Sequence, residues 1–435
     1  MSLNESNSAA QTKILMIGGK QTGSCELAQE ALDHGAYLIV ADYLPKEQSP
    51  AKRMAHECWD CSTADVGKLK DLCEQAGVTG VVAGVHEFNT ERMAELAISA
   101  GLKCYCTPHL LQECVDKREF KQWCQRFGIH VAHEYGIEEA KDLEVSSYPL
   151  AVKPLDGNSS CGFTKCLQPT QLDDAIEEAR NNSDTKQVLI EEFVDADAVI
   201  IHYTASNGEI VFSGVTDKAS KKMGEHGAPI MALQIAPSIH QDQYLREVDV
   251  KAKEMLTAMG FEEGPIWIEA FYKDGRFIFN EIGFRFGASL TYKLVHAMYG
   301  IDQLGMMVEQ AMGVNRQPPQ CAFNQDAVYA IWPMHLKAGT IAAIRGVDEL
   351  EGIDGFESLS FVHHPGDEIE EWGSARQVLG YVHLKASSIM GIVNAMKQVM
   401  ETLVVEDESG ASMLMALLDP ENADKLPSFV RQRLA

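Results

Sequence analysis

Residues 152–165 read V-K-P-L-D-G-N-S-S-C-G-F-T-K, a strand-like run that passes through a lysine into a loop of small residues. Glycine lets backbone N–H groups approach an anion closely, and a concave loop of such groups suits phosphate. The hydroxyls of Ser159 and Ser160 could add donors, and Lys153 could point back at the same ligand. An ordinary surface hairpin loop has the same composition. Taken alone, the stretch leaves both interpretations open.

A second stretch, residues 266–286, predicts two hydrophobic strands joined by a tight turn. It reads I-W-I-E-A-F-Y-K-D-G-R-F-I-F-N-E-I-G-F-R-F, and each strand carries one glutamate, Glu269 and Glu281, in an otherwise apolar run. A buried carboxylate is costly unless it is paired or bound to a cation. The two acids therefore indicate a cation site, unless one or both lie at a solvated rim.

The length of the turn decides whether the two glutamates can meet. A two-residue turn at 274–275 would pair Glu269 with Asn280 and place Glu281 on the other face. A three-residue loop at 273–275 would bring both glutamates to one face, on diagonal positions. Two carboxylates so placed suit Mg²⁺ held between protein and phosphates. We therefore expect the longer loop.

Two further stretches are compatible with a nucleotide site. Arg285 follows Glu281 by four residues and could reach a transferring phosphoryl group, although a salt bridge to one of the glutamates would explain it equally. Residues 188–194, V-L-I-E-E-F-V, predict a strand with paired acids. Such a strand could hold an adenine through its backbone, but considered alone it is better interpreted as a plain edge strand.

Length and charge narrow the class of protein. A chain of 435 residues suggests two to four domains. The net charge of −26 argues against a nucleic-acid binder, because such proteins neutralise phosphates with clustered Lys and Arg. No apolar run approaches the roughly 18 residues of a membrane-spanning helix. We therefore expect a soluble protein with no membrane partner.

The cysteines fit a reducing compartment. There are eleven, an odd number scattered along the chain, which is not the pattern of a disulfide framework. Cys58 and Cys61 form a C-x-x-C motif. A redox or metal role would need a helix N-terminus at the first thiol or a second ligand pair, and the sequence indicates neither. We interpret this pair as structural.

The order of predicted elements divides the chain into parts. Residues 1–12 are polar and predict a disordered lead-in, and residues 13–108 alternate strands and helices as in a doubly wound, Rossmann-like α/β domain. Residues 109–318 open with a helical stretch over 110–127 and continue in an α+β pattern of more than one lobe. Residues 319–435 predict short antiparallel strands and one long helix, which together form a small cap.

Together these stretches resemble the ATP-grasp superfamily, the group of biotin carboxylase, the large chain of carbamoyl-phosphate synthase and the amino-acid ligases. Each motif is degenerate, but their order along the chain is specific. The resemblance implies a pre-ATP-grasp domain in the N-terminal part, a two-lobed ATP-grasp domain in the centre and an antiparallel β cap with a helix at the C-terminal end.

The resemblance also implies site residues, motif by motif. Lys117 in V-D-K-R-E-F and Lys153 in V-K-P match the two lysines that contact the nucleotide, and Lys153 and Arg285 match the groups that act on the transferring phosphate. Glu269 and Glu281 match the acids that bind Mg²⁺ or Mn²⁺. The residues implied for ATP binding are Lys117, Lys153, Ser159, Ser160, Gly162, Glu191, Glu192, Phe193, Val194 and Asp197.

One position departs from the family pattern. The usual ending is E-x-N-x-R, and its asparagine often completes a metal shell, whereas this chain reads E-I-G-F-R with Gly283 in that place. Asn280 could substitute only if the strand end twists, because regular alternation points it to the other face from Glu281. The pattern leaves open whether Gly283 weakens a second metal site.

The resemblance implies an enzyme, an ATP-dependent ligase that joins a carboxylate to an amine or a thiol through an acyl phosphate and releases ADP and phosphate. The alternatives are a bicarbonate-activating carboxylase or carbamoyl-phosphate-synthase-like enzyme, and a weakly catalytic ATP-binding sensor, which Gly283 would explain. We expect small-molecule substrates, no nucleic-acid partner, a homodimer by default and a cytoplasmic location. The sequence identifies neither the carboxylate nor the nucleophile.

Overall fold

The computed structural model describes residues 11–156, 162–222, 229–371 and 373–434, and it begins with a parallel sheet packed with helices. The elements of this first part are β1 (Lys13–Ile17), α1 (Ser24–Asp33), β2 (Tyr37–Asp42), α2 (Pro50–Met54), β3 (Glu57–Asp60), α3 (Val66–Ala76), β4 (Gly80–Ala83) and α4 (Glu87–Ala100). The strand order is β3-β2-β1-β4, with every neighbouring pair parallel. Helices cover such sheets, so their strands are apolar runs. The predicted α/β domain is confirmed.

Two short helices lead out of this sheet. They are α5 (Pro108–Val115) and α6 (Lys117–Arg126). The helical stretch predicted over 110–127 is thus divided at Asp116. The carboxylate of Asp116 accepts hydrogen bonds from the backbone N–H groups of Arg118, at 2.9 Å, and Glu119, at 3.1 Å, and so caps a new helix. Lys117 is the first residue of that helix.

A small antiparallel sheet follows. The elements of this part are β5 (His130–Val131), β6 (Glu134–Tyr135), α7 (Ile137–Lys141), β7 (Leu150–Pro154), β8 (Thr164–Cys166), α8 (Leu172–Asn181) and β9 (Val188–Glu192). The strand order is β6-β9-β7-β8, and α8 packs on the sheet around Leu150, Ile176 and Ile190. β9 lies inside this sheet, so the interpretation of its sequence as an edge strand was wrong.

The second lobe is built on a larger sheet. Its elements are β10 (Ala198–Ser206), β11 (Glu209–Lys222), β12 (Pro229–Ala236), α9 (Gln241–Glu247), α10 (Asp249–Met259), β13 (Gly264–Lys273), β14 (Arg276–Gly283), α11 (Thr291–Tyr299) and α12 (Gln303–Met312). Strands β12, β11, β10, β13 and β14 are neighbours in that order, and each pair is antiparallel. β5 pairs with the outer edge of β14, so the small lobe is joined to this sheet.

The C-terminal part extends the same sheet. Its elements are β15 (Val328–Leu336), β16 (Gly339–Thr340), β17 (Ala343–Arg345), β18 (Phe356–Phe361), β19 (Glu368–Ile369), β20 (Val378–Ala386), α13 (Ile389–Thr402), β21 (Val404–Glu406), β22 (Leu414–Met415) and α14 (Ser428–Leu434). β15 pairs with β12, and β20, β18 and β22 continue outward from β15. The predicted antiparallel strands and long helix are present, but they share the sheet of the central lobe.

Burial follows this arrangement. One apolar core runs from β1 to α12, and a second lies between the C-terminal strands and α13. Burial raises the pKa of both Cys58 and Cys61, and each is a free thiol, so neither has the lowered pKa of a reactive cysteine. In the described part of the chain no helix is long and apolar enough to cross a membrane. The domain limits 13–108, 109–318 and 319–435 stay predictions.

Candidate active site

The β13–β14 hairpin turns in two residues, not three. Lys273 lies opposite Arg276, and between them Asp274 and Gly275 have φ values of 50° and 77°. Positive φ at both central residues is the geometry that Asp-Gly supplies in tight hairpins. The predicted three-residue loop was wrong.

A β-bulge in the same hairpin brings the two acids together by another route. The register shifts between Glu269 and Ala270, so that Ala270 lies opposite Phe279 and Glu269 lies opposite Glu281. Asn280 is the extra residue of the bulge. Residues directly opposite each other in an antiparallel pair point to the same face. Glu269 and Glu281 therefore face the same side, which is what a shared cation requires.

The bulge also turns the Asn280 side chain into the site. Its amide nitrogen donates to Oε1 of Glu269 at 3.2 Å, and its amide oxygen accepts a hydrogen bond from Nζ of Lys153 at 3.0 Å. The prediction that Asn280 points away from Glu281 was wrong, because a bulge interrupts the alternation of side chains. Asn280 thus connects β14 in the large lobe to β7 in the small lobe.

Glu191 forms ion pairs with two lysines, one of which is the Lys153 that contacts Asn280. Its carboxylate is buried, with one oxygen 2.9 Å from Nζ of Lys153 and the other in contact with Nζ of Lys121. Lys121 lies one helical turn after Lys117 on α6, so the two lysines extend from the same side of the helix. Burial, and then the charge of Lys153, lower the pKa of Lys121 to about 6, so Lys153 is the lysine of the two that keeps its proton at neutral pH. Glu191 therefore holds the charged Lys153 in place in the small lobe.

Lys153 is the most central of these cations. Burial, and then the charge of Lys117, lower the pKa of Lys153 to about 8. Lys117 itself is buried, and its Nζ donates to the carbonyl oxygen of Leu155 at 3.4 Å, just before the glycine-rich loop. Lys117 therefore reaches the segment that leads into that loop, whereas the ammonium group of Lys153 contacts Glu191 and Asn280.

Ion pairing sets the protonation of the hairpin acids. Lys218 of β11 forms an ion pair with Glu269. Burial alone would raise the pKa of Glu269, but the charge and hydrogen bond of Lys218, with the hydrogen bond of Asn280, hold that pKa below its usual value. Burial, and then the adjacent Glu269 carboxylate, raise the pKa of Glu281. Glu281 is therefore the acid of the pair that a bound cation would stabilise most.

The end of the glycine-rich loop admits only a small residue. Gly162 has φ of 70°, and a Cβ there would lie 2.6 Å from Asn182 and 2.8 Å from Pro154. The position therefore needs glycine for both conformation and space. Ser159 and Ser160 lie outside the described residues, as does the segment 223–228 beyond β11, so the roles predicted for the two serines stay predictions.

The residues predicted to contact adenine follow β9. Glu192 accepts a hydrogen bond from the backbone N–H of His133 at 3.2 Å, and the ring of Phe193 lies 3.9 Å from Nζ of Lys165. Val194 is buried. The side chains of Glu192 and Phe193 thus contact residues of the small lobe, and the adenine role of this segment stays a prediction.

Asp197, one of the residues that the resemblance implies for ATP binding, makes a contact that the sequence did not indicate. Oγ of Ser428, in α14 at the far end of the chain, donates to Asp197 at 2.5 Å. Arg433 of the same helix forms an ion pair with Asp217 at 2.9 Å, next to Lys218 on β11. Two side chains of the C-terminal helix α14 thus contact residues near β10 and on β11 of the central sheet.

Gly283 makes room for a tryptophan. It lies opposite Trp267, and a Cβ at Gly283 would come within 2.2 Å of the indole ring. An asparagine at this position has no space while Trp267 keeps its place. The departure from the family pattern therefore has a packing cause, and the asparagine of this site is Asn280 instead.

Arg285 lies on the far side of this tryptophan. Its guanidinium is 5.4 Å from the centre of the Trp267 ring, donates to the carbonyl of Phe286 at 3.1 Å and forms an ion pair with Glu87 of α4 at 3.3 Å. Arg285 thus pairs with the N-terminal domain, not with Glu269 or Glu281. A cavity of about 90 Å³ opens here, and Lys117, Glu281 and Arg285 are among its lining residues.

Three contributors to the site escaped the sequence analysis, namely Lys121, Lys218 and Trp267, and a fourth, Asn280, was considered but expected on the other face. Lys121 had a readable signal, since it repeats Lys117 at helical spacing. Lys218 lies on β11 and reaches Glu269 across β10, a pairing of strands that local patterns do not reveal. Asn280 depended on a bulge. Lys218, Asn280 and Trp267 were recognisable only once the register of the large sheet was known.

Comparison with known proteins agrees with this architecture. Residues 146–292 match the family model of the ATP-grasp domain, and residues 334–408 match that of L-amino acid ligase C-terminal domain 2. A formate-dependent phosphoribosylglycinamide formyltransferase of Wolinella succinogenes is 22% identical over 276 residues, which are 62% of this chain and 69% of that protein.

Solved structures show the same fold. L-amino acid ligase from Bacillus licheniformis superposes with a TM-score of 0.74 at 17% identity, covering 92% of this chain and 99% of that one. Biotin carboxylase from Campylobacter jejuni gives 0.76 at 15% identity, covering 97% and 98%. Residues 146–292 thus form an ATP-grasp domain, and the comparisons support an ATP-dependent ligase. The C-terminal part of the chain is of the kind found in L-amino acid ligases.

Proposed function

We propose that this ligase joins a carboxylate to an amine through an acyl phosphate. The observation that supports this most is the cluster in which Lys153 of one lobe meets Asn280, Glu269 and Glu281 of the other. A cation and two facing carboxylates between lobes suit a triphosphate with its metal. A formate-dependent formyltransferase and an L-amino acid ligase are among the similar proteins, and both names describe the use of an acid.

The reaction has two steps. A carboxylate oxygen attacks the γ-phosphorus of ATP, the bond from that phosphorus to the bridging oxygen breaks, and ADP leaves. An amine nitrogen then attacks the acyl carbon, the bond from that carbon to the phosphate oxygen breaks, phosphate leaves with the electron pair, and the nitrogen releases a proton to solvent. Phosphorylation is needed because oxide is too poor a leaving group. No protein nucleophile is required.

The protein's part is to position the substrates and neutralise charge. Lys117 and Lys153 would bind the phosphates, and Arg285 would stabilise charge on the transferring phosphoryl group. Lys121 would act through Glu191 by holding Lys153 in place. The glycine-rich loop would keep water from the acyl phosphate.

Magnesium is the expected cofactor, and the residues present fit it. The carboxylates of Glu269 and Glu281 and the amide oxygen of Asn280 are oxygen ligands of the kind that Mg²⁺ prefers, and Mn²⁺ accepts the same donors. Over the described ranges no group of three or more His, Cys, Asp or Glu side chains could hold a metal by itself. Mg²⁺ in phosphate sites uses one or two carboxylates with phosphates and water. When bound, it would neutralise charge on the β- and γ-phosphates.

The test is a screen of ADP release across pairs of small carboxylic acids and amines, with Mg²⁺-ATP. We expect release that depends on one acid and one amine together. Lys153→Ala and Glu281→Ala should each abolish it while circular dichroism stays native, because both side chains lie at the cluster and not in an apolar core. Wild-type turnover in either variant would contradict the proposal.

Two alternatives are decided by the same screen. Bicarbonate-dependent ADP release without any amine would favour the carboxylase-like function. Tight ATP binding with no ADP release in any mixture would favour the sensor, although Asn280 supplies the amide that Gly283 lacks and so weakens the reason for that alternative. We further propose a homodimer in the cytoplasm, and sedimentation of the purified protein tests the first of these.

A further inference from the structure

The cavity beside Arg285 extends the candidate site to the N-terminal domain. Its lining includes Lys117 and Glu281 from the cluster, and Glu87 and Glu91 from α4. Leu111 and Val115 of α5 and the indole of Trp267 add apolar wall. A pocket with an apolar body and a few convergent charged groups is the usual form of a small-molecule site.

Two carboxylates stand together on its α4 side. Glu87 and Glu91 are four residues apart, so they extend from the same face of the helix. Burial, and then the charge of Glu87, raise the pKa of Glu91. Glu91 lies 3.6 Å from Arg92, whose guanidinium also pairs with Glu95 at 2.9 Å, so this cation is shared. Glu91 is therefore held only by a shared cation, whereas Glu87 is paired with Arg285.

Arg285 pairs with Glu87 in the structure, but the proposed reaction gives its guanidinium a second partner. It now pairs with Glu87 at 3.3 Å, whereas the proposed reaction needs its guanidinium at the transferring phosphoryl group. When Arg285 turns to the phosphate, Glu87 loses its partner while remaining in the cavity wall. A cationic group of a substrate could then take the place of the guanidinium.

We propose that Glu87 and Glu91 bind the ammonium form of the nucleophilic substrate and that one of these carboxylates accepts a proton from it, which leaves the neutral nitrogen with a lone pair to attack the acyl carbon. The N-terminal domain would thus select amines over neutral nucleophiles. This assignment rests on the proposed ligase function. The cavity leads from the two acids to Glu281 and Lys117, so a short amine bound there lies beside the place where the acyl phosphate forms. A ligand with a small apolar body and a charged nitrogen matches the lining.

The test compares a charged and a neutral nucleophile. Hydroxylamine is mostly uncharged at neutral pH and traps an acyl phosphate as a hydroxamate without needing an anionic site. Wild-type protein, Glu87→Gln and Glu91→Gln are assayed with formate, acetate or alanine as the acid, and with hydroxylamine, methylamine or ethylamine as the nucleophile. Glu95→Gln is the matched control, because it removes an exposed acid one turn further along α4 that does not line the cavity.

We expect both cavity variants to form hydroxamate at the wild-type rate, which also shows that they are folded. Their KM for the alkylamines should rise about tenfold or more, since a hydrogen bond to a charged group is lost, with KM for ATP unchanged. Unchanged KM for the amines would overturn the assignment of Glu87 and Glu91 and leave the ligase function intact. Absence of hydroxamate with the wild-type protein would overturn the ligase function and this assignment with it.

Discussion

Lys153 is the residue on which most of the candidate site converges, since it contacts both Glu191 and Asn280. These contacts hold the ammonium group in place before any nucleotide arrives. The cost is a buried cation whose charge is less stable than in water. The protonation state of Lys153 should therefore control how tightly the site binds an anion.

ATP binding should weaken on the alkaline side. Lys153 is charged below its pKa of about 8 and neutral above it, so the affinity of the free protein for ATP should be highest below pH 8 and fall as pH rises further, by up to roughly tenfold per unit. Calorimetric titration with ATP between neutral and alkaline pH measures this. Lys153→Arg keeps its charge throughout, so its profile should stay flat, and an equally flat wild-type profile would count against the role of Lys153.

Asn280 should matter for the metal as well as for Lys153. Removing its amide in Asn280→Ala leaves Glu269 without one hydrogen bond and the metal without one oxygen donor. Loss of such a supporting group weakens metal affinity by about 10- to 100-fold. Binding of Mn²⁺ in the presence of ATP, followed by electron paramagnetic resonance, gives a readout that does not need turnover. Asn324→Ala, at a surface turn, should bind as the wild type, and equal binding by Asn280→Ala would remove Asn280 from the site.

At the scale of elements, the β13–β14 hairpin shows how a β-bulge can compensate for the length of a turn. The tight Asp-Gly turn alone would have placed Glu281 on the wrong face, and the bulge at Asn280 restores it. Once Asn280 occupies the site, the position of Gly283 is available to Trp267. The hairpin therefore uses a bulge and a tryptophan where the family pattern uses a regular strand and an asparagine.

Restoring the family asparagine should damage the protein unless the tryptophan is also removed. Gly283→Asn would push side-chain atoms into the Trp267 ring, and overpacking of this kind costs about 1–3 kcal/mol. Urea denaturation measures the free energy of unfolding for Gly283→Asn, Trp267→Ala and the double variant. We expect the double variant to be more stable than the sum of the two changes predicts. Strict additivity would mean that the two side chains do not compete for space.

Local patterns predicted the elements better than their pairing. The lysine-bearing strand, the acidic strand and the hairpin followed from periodicity and turn residues, because these signals are local. The bulge did not, because no residue type in F-N-E-I-G encodes a register shift. The ion pair between Lys218 and Glu269 joins strands that are far apart in sequence, and the Asp197–Ser428 contact spans most of the C-terminal half. Such contacts depend on tertiary pairing.

For the whole molecule, the sheet shared by the central lobe and the C-terminal part is the main structural link. β12 and β15 pair directly, so strands that the sequence assigned to a cap continue the sheet that carries Glu269 and Glu281. A substitution that destabilises the outer strands should therefore also destabilise the β13–β14 hairpin. The helix that carries Ser428 and Arg433 adds a second link between the chain end and β11.

That shared sheet should also be where acid destabilises the protein. Three histidines in it are buried, and burial lowers the pKa of His202 and His383 to about 3 and of His335 to about 4. They stay neutral when folded but take up protons near pH 6.5 when unfolded. Their contribution to stability is therefore complete above pH 6.5 and is lost progressively below it, by roughly 1.4 kcal/mol each at one pH unit lower.

The measurement is the midpoint of thermal unfolding from pH 7.5 to 5, together with the protons taken up on unfolding. The midpoint should fall steeply below pH 6.5, with uptake approaching three protons from these side chains. His383→Gln should lower the uptake by about one, whereas His109→Gln, at a side chain that is 83% exposed, should leave it unchanged. Equal uptake in the wild type and His383→Gln would show that His383 is already protonated in the folded sheet, and the burial argument would fail there.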